Sequence, residues 1–189
     1  MNRLIRCVFF SSLLMIADQL VYAQDNDLST IYQIQLAAYQ GEVDWDRFKN
    51  LKDVGLVNTQ SIAFSPENEG INDNLAHVFV GRYLGMQTVE AVKKLLINKG
   101  FKDLLIEKDD YFLNHATGKY LRYTIQLGAF KKLDMEQFAN MSQSENLHIV
   151  YEKNSFRVLY GFFNSEKMAE LALEVLKTEG FEGKVKTFR

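Results

Sequence analysis

Residues 123–130 read Tyr-Thr-Ile-Gln-Leu-Gly-Ala-Phe, and residues 32–39 read Tyr-Gln-Ile-Gln-Leu-Ala-Ala-Tyr, identical at five of eight positions. In the later stretch Tyr123, Ile125, Leu127 and Ala129 alternate with Thr124, Gln126 and Gly128. A period of two marks a strand with one buried face. A second pair of segments aligns without a gap, 81–101 against 161–181. Only five of those 21 positions coincide, yet both segments begin with Gly, carry helix-like apolar spacing and end on Gly-Phe. Two matching blocks in the same order read as a duplication, and a repeat must be recognised before single elements are assigned.

Between the blocks the first copy is 11 residues longer, and the excess fits 65–74, a stretch of turn-type residues holding the only proline, Pro66. Each copy then reads as strand, short helix, hairpin, longer helix and strand. Phe138 and Met141, matched by Phe48 and Leu51, have the i, i+3 spacing of the short helix. The hairpins are expected at 147–152 with 155–161, and at 60–64 with 76–81. Ser165 suits the N-cap of a helix striped by Met168, Leu171, Ala172, Val175 and Leu176, with Gly180 placed to end it. Thr88, Ala91, Val92, Leu95, Leu96 and Gly100 repeat that pattern. Closing strands are expected at Phe101–Glu107 and Phe181–Phe188.

The expected fold class is α+β. It comprises two β-α-β-β-α-β ferredoxin-like units, each a four-stranded antiparallel sheet with two helices on one face. The units span 32–107 and 123–188. The linker 108–122 holds Tyr111, Phe112, Leu113, Tyr120 and Leu121, too apolar for a free tether, so the units are expected to pack together.

Composition narrows the function classes. The 189 residues are 47% hydrophobic and 24% charged, the balance of a globular protein. A net charge of −2 gives no basic footprint for nucleic acid. Three histidines and one cysteine lack metal-ligand spacing. There is no Gly-x-Ser-x-Gly, His-Glu-x-x-His or phosphate loop, so the chain reads as non-catalytic with no cofactor implied. Arg3 and Arg6 precede an apolar run from Cys7 to Ile16, and Val21-Tyr22-Ala23 follows: residues 1–23 read as a signal peptide cleaved before Gln24. A run of this length is short of the roughly 20 residues a bilayer span needs. No transmembrane span is therefore expected after processing, and the chain is expected in the periplasm or cell envelope.

The Tyr-x-Ile-Gln-Leu-Gly-Ala-Phe opening, the Arg-Val-x-x-Gly-Phe-Phe strand end at 157–163 and the helix closing on Gly-Phe resemble the SPOR (sporulation-related repeat) domain. The resemblance runs over 32–107 and 123–188. It implies a bacterial envelope module that binds peptidoglycan, favouring glycan strands stripped of stem peptides. The first copy, with Val80-Gly81-Arg82-Tyr83 and Lys99-Gly100-Phe101-Lys102-Asp103, resembles divergent members.

Alternation puts Thr124, Gln126 and Gly128 on the face away from the helices, with Arg157 and Leu159 beside them on the hairpin strand. Gln126 can donate and accept hydrogen bonds, and Arg157 can hold a lactyl carboxylate in a fork. Gly128 would let a polymer approach the backbone. Gln35 matches Gln126, but Ala37 and His77 replace Gly128 and Arg157, so the second copy is expected to bind more strongly. Trp45 reads as part of the stripe with Phe48 and Leu51, and His77, His115 and His148 as structural or solvated. The other partner class is an envelope protein, engaged through the open sheet face or an edge strand.

Overall fold

The computed structural model describes residues 30–62, 75–108 and 123–187. The signal-like segment, the 65–74 loop, His115 and nearly all of the linker lie outside the described residues. Strand β1 (Ile31–Gln40) leads through a 3-10 turn (Trp45–Leu51) to β2 (Val57–Ile62), β3 (Leu75–Leu84), helix α1 (Met86–Asn98) and β4 (Leu105–Lys108). The second half follows the same order: β5 (Tyr123–Phe130), 3-10 turns at Met135–Phe138 and Ser144–Asn146, β6 (Leu147–Glu152), β7 (Ser155–Phe163), α2 (Glu166–Thr178) and β8 (Lys184–Thr187).

The fold is α+β, with these strands in one mixed sheet. Neighbours run β4-β1-β3-β6-β7-β5-β8, and β2 also pairs with β3. Every pairing is antiparallel except β3 with β6, a parallel contact made by Tyr83 and Ile149 alone. Lys153 and Asn154, with φ of 51° and 59°, form the two-residue turn that joins β6 to β7.

The repeat extends to side-chain geometry. The segments expected as short helices are 3-10 turns, because so few residues repay the tighter i, i+3 bond better than an α-helical nucleus. Asp44 caps the first, accepting from the Asp46 amide, and Asp134 caps its counterpart, accepting from Glu136, both at 3.2 Å. Phe48 meets Tyr39 edge-on at 6.2 Å and stacks on Phe101 at 6.1 Å; Phe138 meets Phe130 at 6.2 Å and Phe181 at 6.3 Å in the same two orientations. Both longer helices end on a left-handed glycine, Gly100 or Gly180, after which the Phe101 and Phe181 amides donate back to Leu96 and Leu176.

Both helices pack on one side of the sheet. Val89, Val92 and Leu96 of α1 and Ala169, Leu173 and Leu176 of α2 share a single core cluster with residues of both halves. Helix α2 therefore faces inward differently from the expected stripe: Met168, Leu171 and Val175 are exposed. At 100° per residue its apolar positions wrap more than half the circumference, and the sheet covers only the side holding Ala169, Leu173 and Leu176.

The halves do pack together. The Met135 amide donates to the Lys52 carbonyl at 2.7 Å, and Lys52 pairs with Glu136 at 2.6 Å. The Thr88 hydroxyl donates to Leu84 O at 2.6 Å and accepts from the Tyr151 amide at 2.9 Å, tying the start of α1 to β6. Arg82 donates to the Glu145 carbonyl.

Candidate functional site

Register decides which of the expected residues reach the sheet face opposite the helices. Pairing of β5 with β7 slips between Gln126 and Gly128, leaving Leu127 as an extra residue. A bulge of this kind resets the alternation. Gln126 stands opposite Leu159, but Gly128 stands opposite the core residue Val158, and Ala129 takes the place beside Arg157. Gly128 therefore faces the helices. A Cβ there would lie 2.3 Å from the Phe130 ring, so the missing side chain makes room for an aromatic and not for a polymer. The first half slips identically, between Gln35 and Ala37, which sets Ala37 opposite Val78 and Ala38 opposite His77.

Two further expectations change. Leu159 is on the outer side but only 6% exposed; with Ile31, Leu84 and Val150 it forms a second buried cluster on that face, with Phe162 against it. The face is therefore apolar and closed near the seam between the halves, not bare. Thr124 is buried, and its hydroxyl is engaged with the Gly161 carbonyl at 2.7 Å. Both residues hold the sheet together.

Gln126 and Arg157 remain accessible. Gln126 is half-buried, and Arg157 pairs with Glu152 at 3.0 Å while keeping about a third of its side chain exposed. Strand β8 adds two groups absent from the sequence reading. Lys184 stands directly opposite Gln126 and Lys186 opposite Thr124, and both are exposed. Directly opposed residues point to the same face, so the lysines flank the glutamine. The signal was available in Lys184-Val185-Lys186-Thr187, where alternation puts Val185 inward and both lysines outward.

The first half carries different chemistry. Gln35 is buried and bonded through Oε1 to His77 Nδ1 at 3.1 Å, and Gln60 donates to Gln33 at 3.0 Å. The strand positions opposite Gln35 and Gln33 hold Leu105 and Glu107 where the second half has lysines. Trp45 is half-exposed, packed edge-on to Phe48 at 6.4 Å, and so lies outside the buried stripe. A cleft of about 670 Å³ between the halves is bordered by Asn58, Gln60, Arg82, Met135 and Glu145.

The chain matches no protein-family model, no curated protein and no solved structure. Among the described residues no helix is long and apolar enough to cross a membrane.

His148 lies on the same face as Leu159, its ring 4.7 Å from that of Phe162. Burial, reinforced by the Arg82 charge, pulls its pKa well below the usual imidazole value. Nδ1 has no hydrogen-bond partner among the described residues. The folded state keeps this ring neutral, whereas the unfolded chain takes up a proton below about pH 6.5. Acid therefore favours unfolding. The stabilisation is complete above that pH and falls by at most ~1.4 kcal/mol per pH unit below it. Urea unfolding at pH 7 and pH 5 should show a larger loss for the wild type than for His148→Phe. Equal losses would mean that His148 protonates freely in the folded protein.

Proposed function

We propose that the protein is a non-catalytic peptidoglycan-binding component of the bacterial cell envelope, holding glycan strands stripped of their stem peptides. In this reading each half is a ferredoxin-like β-α-β-β-α-β unit of the SPOR type. The repeated strand orders β4-β1-β3-β2 and β8-β5-β7-β6 support it. The signal-like residues 1–23 support export.

One observation carries the binding reading: on the second half's outer face Lys184 stands opposite Gln126, with Lys186 and Arg157 two positions along the neighbouring strands. A stripped glycan presents hydroxyl and acetamido groups, for which an amide is both donor and acceptor, and lactyl carboxylates, which cations attract. The first half offers Leu105 and Glu107 instead, so the second half is the principal binder.

The test is co-sedimentation of the intact protein with peptide-stripped sacculi. Combined Lys184→Ala, Lys186→Ala and Arg157→Ala substitutions should weaken binding about tenfold or more, since several exposed contacts of ~0.5–1 kcal/mol each are lost. Wild-type binding should fall with rising salt, and the triple variant should lose most of that dependence. Unchanged binding by a variant that circular dichroism shows to be folded removes this strip as the site. Failure of the wild type to sediment with stripped or intact sacculi turns the reading toward a protein partner.

A further inference from the structure

The seam between the halves brings together two surfaces, and duplication has left a second version of each on the outside. On the second half, the seam surface is the start of the 3-10 turn: Met135 is 1% exposed, and its amide donates to Lys52 of the first half. On the first half it includes one flank of α1, where Thr88 is 1% exposed and binds the Tyr151 amide.

The equivalents follow from position. Trp45 opens the first half's 3-10 turn just as Met135 opens the second's, each preceded by a capping aspartate. The third, sixth and tenth residues of the thirteen-residue helices are Thr88, Ala91 and Leu95 in α1 and Met168, Leu171 and Val175 in α2. These counterparts are exposed: Trp45 at 48%, Met168 at 53%, Leu171 at 60% and Val175 at 58%.

We propose that the protein self-associates head to tail, with the Trp45 side of one copy seated on the Met168–Leu171–Val175 flank of α2 in the next. The contact between copies continues the arrangement of the halves, with an indole in place of Met135 and the Met168 side chain in place of Thr88; Leu171 and Val175 extend the same flank along α2. Large apolar side chains clustered on one helix flank, facing an aromatic, are the composition of an interface core. An isolated exposed Leu needs no explanation, but Trp45 and Met168 exposed at the two outward-facing seam positions, with Leu171 and Val175 on the same helix flank, do. The two surfaces differ from each other, so the association is heterologous and continues beyond two copies unless it closes into a ring. It is independent of glycan binding, because neither surface includes Gln126, Arg157, Lys184 or Lys186.

Sedimentation velocity across a range of concentrations tests this with the purified protein. Trp45 is the only tryptophan, so its emission reports directly on burial. The wild type should associate as concentration rises, with a blue shift in emission. Trp45→Glu and Leu171→Glu should each weaken association about tenfold or more, as loss of a central contact does. Both sites are half-exposed, and circular dichroism should show both variants folded. Mixed together, the variants should form a species of two and no larger, because each retains the surface the other has lost. A wild type that stays monomeric overturns the proposal. So does association that survives Trp45→Glu, since that outcome belongs to symmetric pairing of α2 with α2.

Discussion

Residues 123–187 expressed without residues 30–108 are expected to be largely unfolded, although they contain every strand pairing of the second half but one. Met135, Leu147 and Ile149 belong to a core cluster continuous with the first half, and Ile149 makes the one ladder pair of β6 with β3. Fully burying a large apolar side chain contributes ~1.5–3 kcal/mol, so uncovering three of them forfeits roughly 5 kcal/mol. A domain of ~65 residues is marginal even with its core complete. The first half alone loses the counterpart cover over Leu56, Val57 and the seam side of α1. Far-UV circular dichroism and urea titration decide the matter. The intact chain should unfold in one transition, and neither fragment should show a comparable one. A fragment that unfolds cooperatively near the intact midpoint would establish autonomous halves. Glycan-binding comparisons therefore belong on the intact chain, with substitutions in place of truncations.

Gly81→Val is expected to be the most damaging single substitution in the first half. Gly81 sits at φ +63°, a region that a β-branched residue enters only at considerable cost. A Cβ there would lie 2.2 Å from the Tyr83 ring. That ring cannot withdraw: Tyr83 is fully buried and donates its hydroxyl to the Val54 carbonyl at 3.1 Å. Backbone strain and displacement of a core aromatic together predict a loss of about 3 kcal/mol or more. Gly41→Ala provides the control. It has a comparable positive φ of +101°, but a Cβ there would meet no heavy atom within 4 Å, so only the backbone cost of ~1–2 kcal/mol applies. Urea midpoints of the two variants should differ clearly, and equal midpoints would mean that Tyr83 has room to move.

Most of the strands were legible because period-two alternation is a local property. The match of Tyr123 and Ile125 to Tyr32 and Ile34, and the turn at Lys153-Asn154, follow from neighbouring residues alone. Gly128 was misplaced because a bulge is a relation between two strands: nothing in Gln126-Leu127-Gly128 announces that β7 skips a residue opposite it. Helix α2 was legible as a helix but not in its orientation, since its apolar arc is wide enough to satisfy two different inward faces. Leu159 lies on the side expected, yet the burial of that side depends on Ile31, Leu84 and Val150, brought alongside by three other strands. Gln126 and Arg157 could be placed from alternation, whereas recognising the lysine pair required the β5–β8 register.

Thr88 and Met168 hold the same position in two thirteen-residue helices, yet a change at each has different consequences. At Thr88 a change removes two hydrogen bonds and opens the seam within the molecule; at Met168 no such penalty exists inside the chain. The same holds for Met135 and Trp45. Two like units joined in one chain are thus not interchangeable, because each has a covered side that its twin leaves exposed. A shared architecture is therefore compatible with only five identities in 21 positions between 81–101 and 161–181.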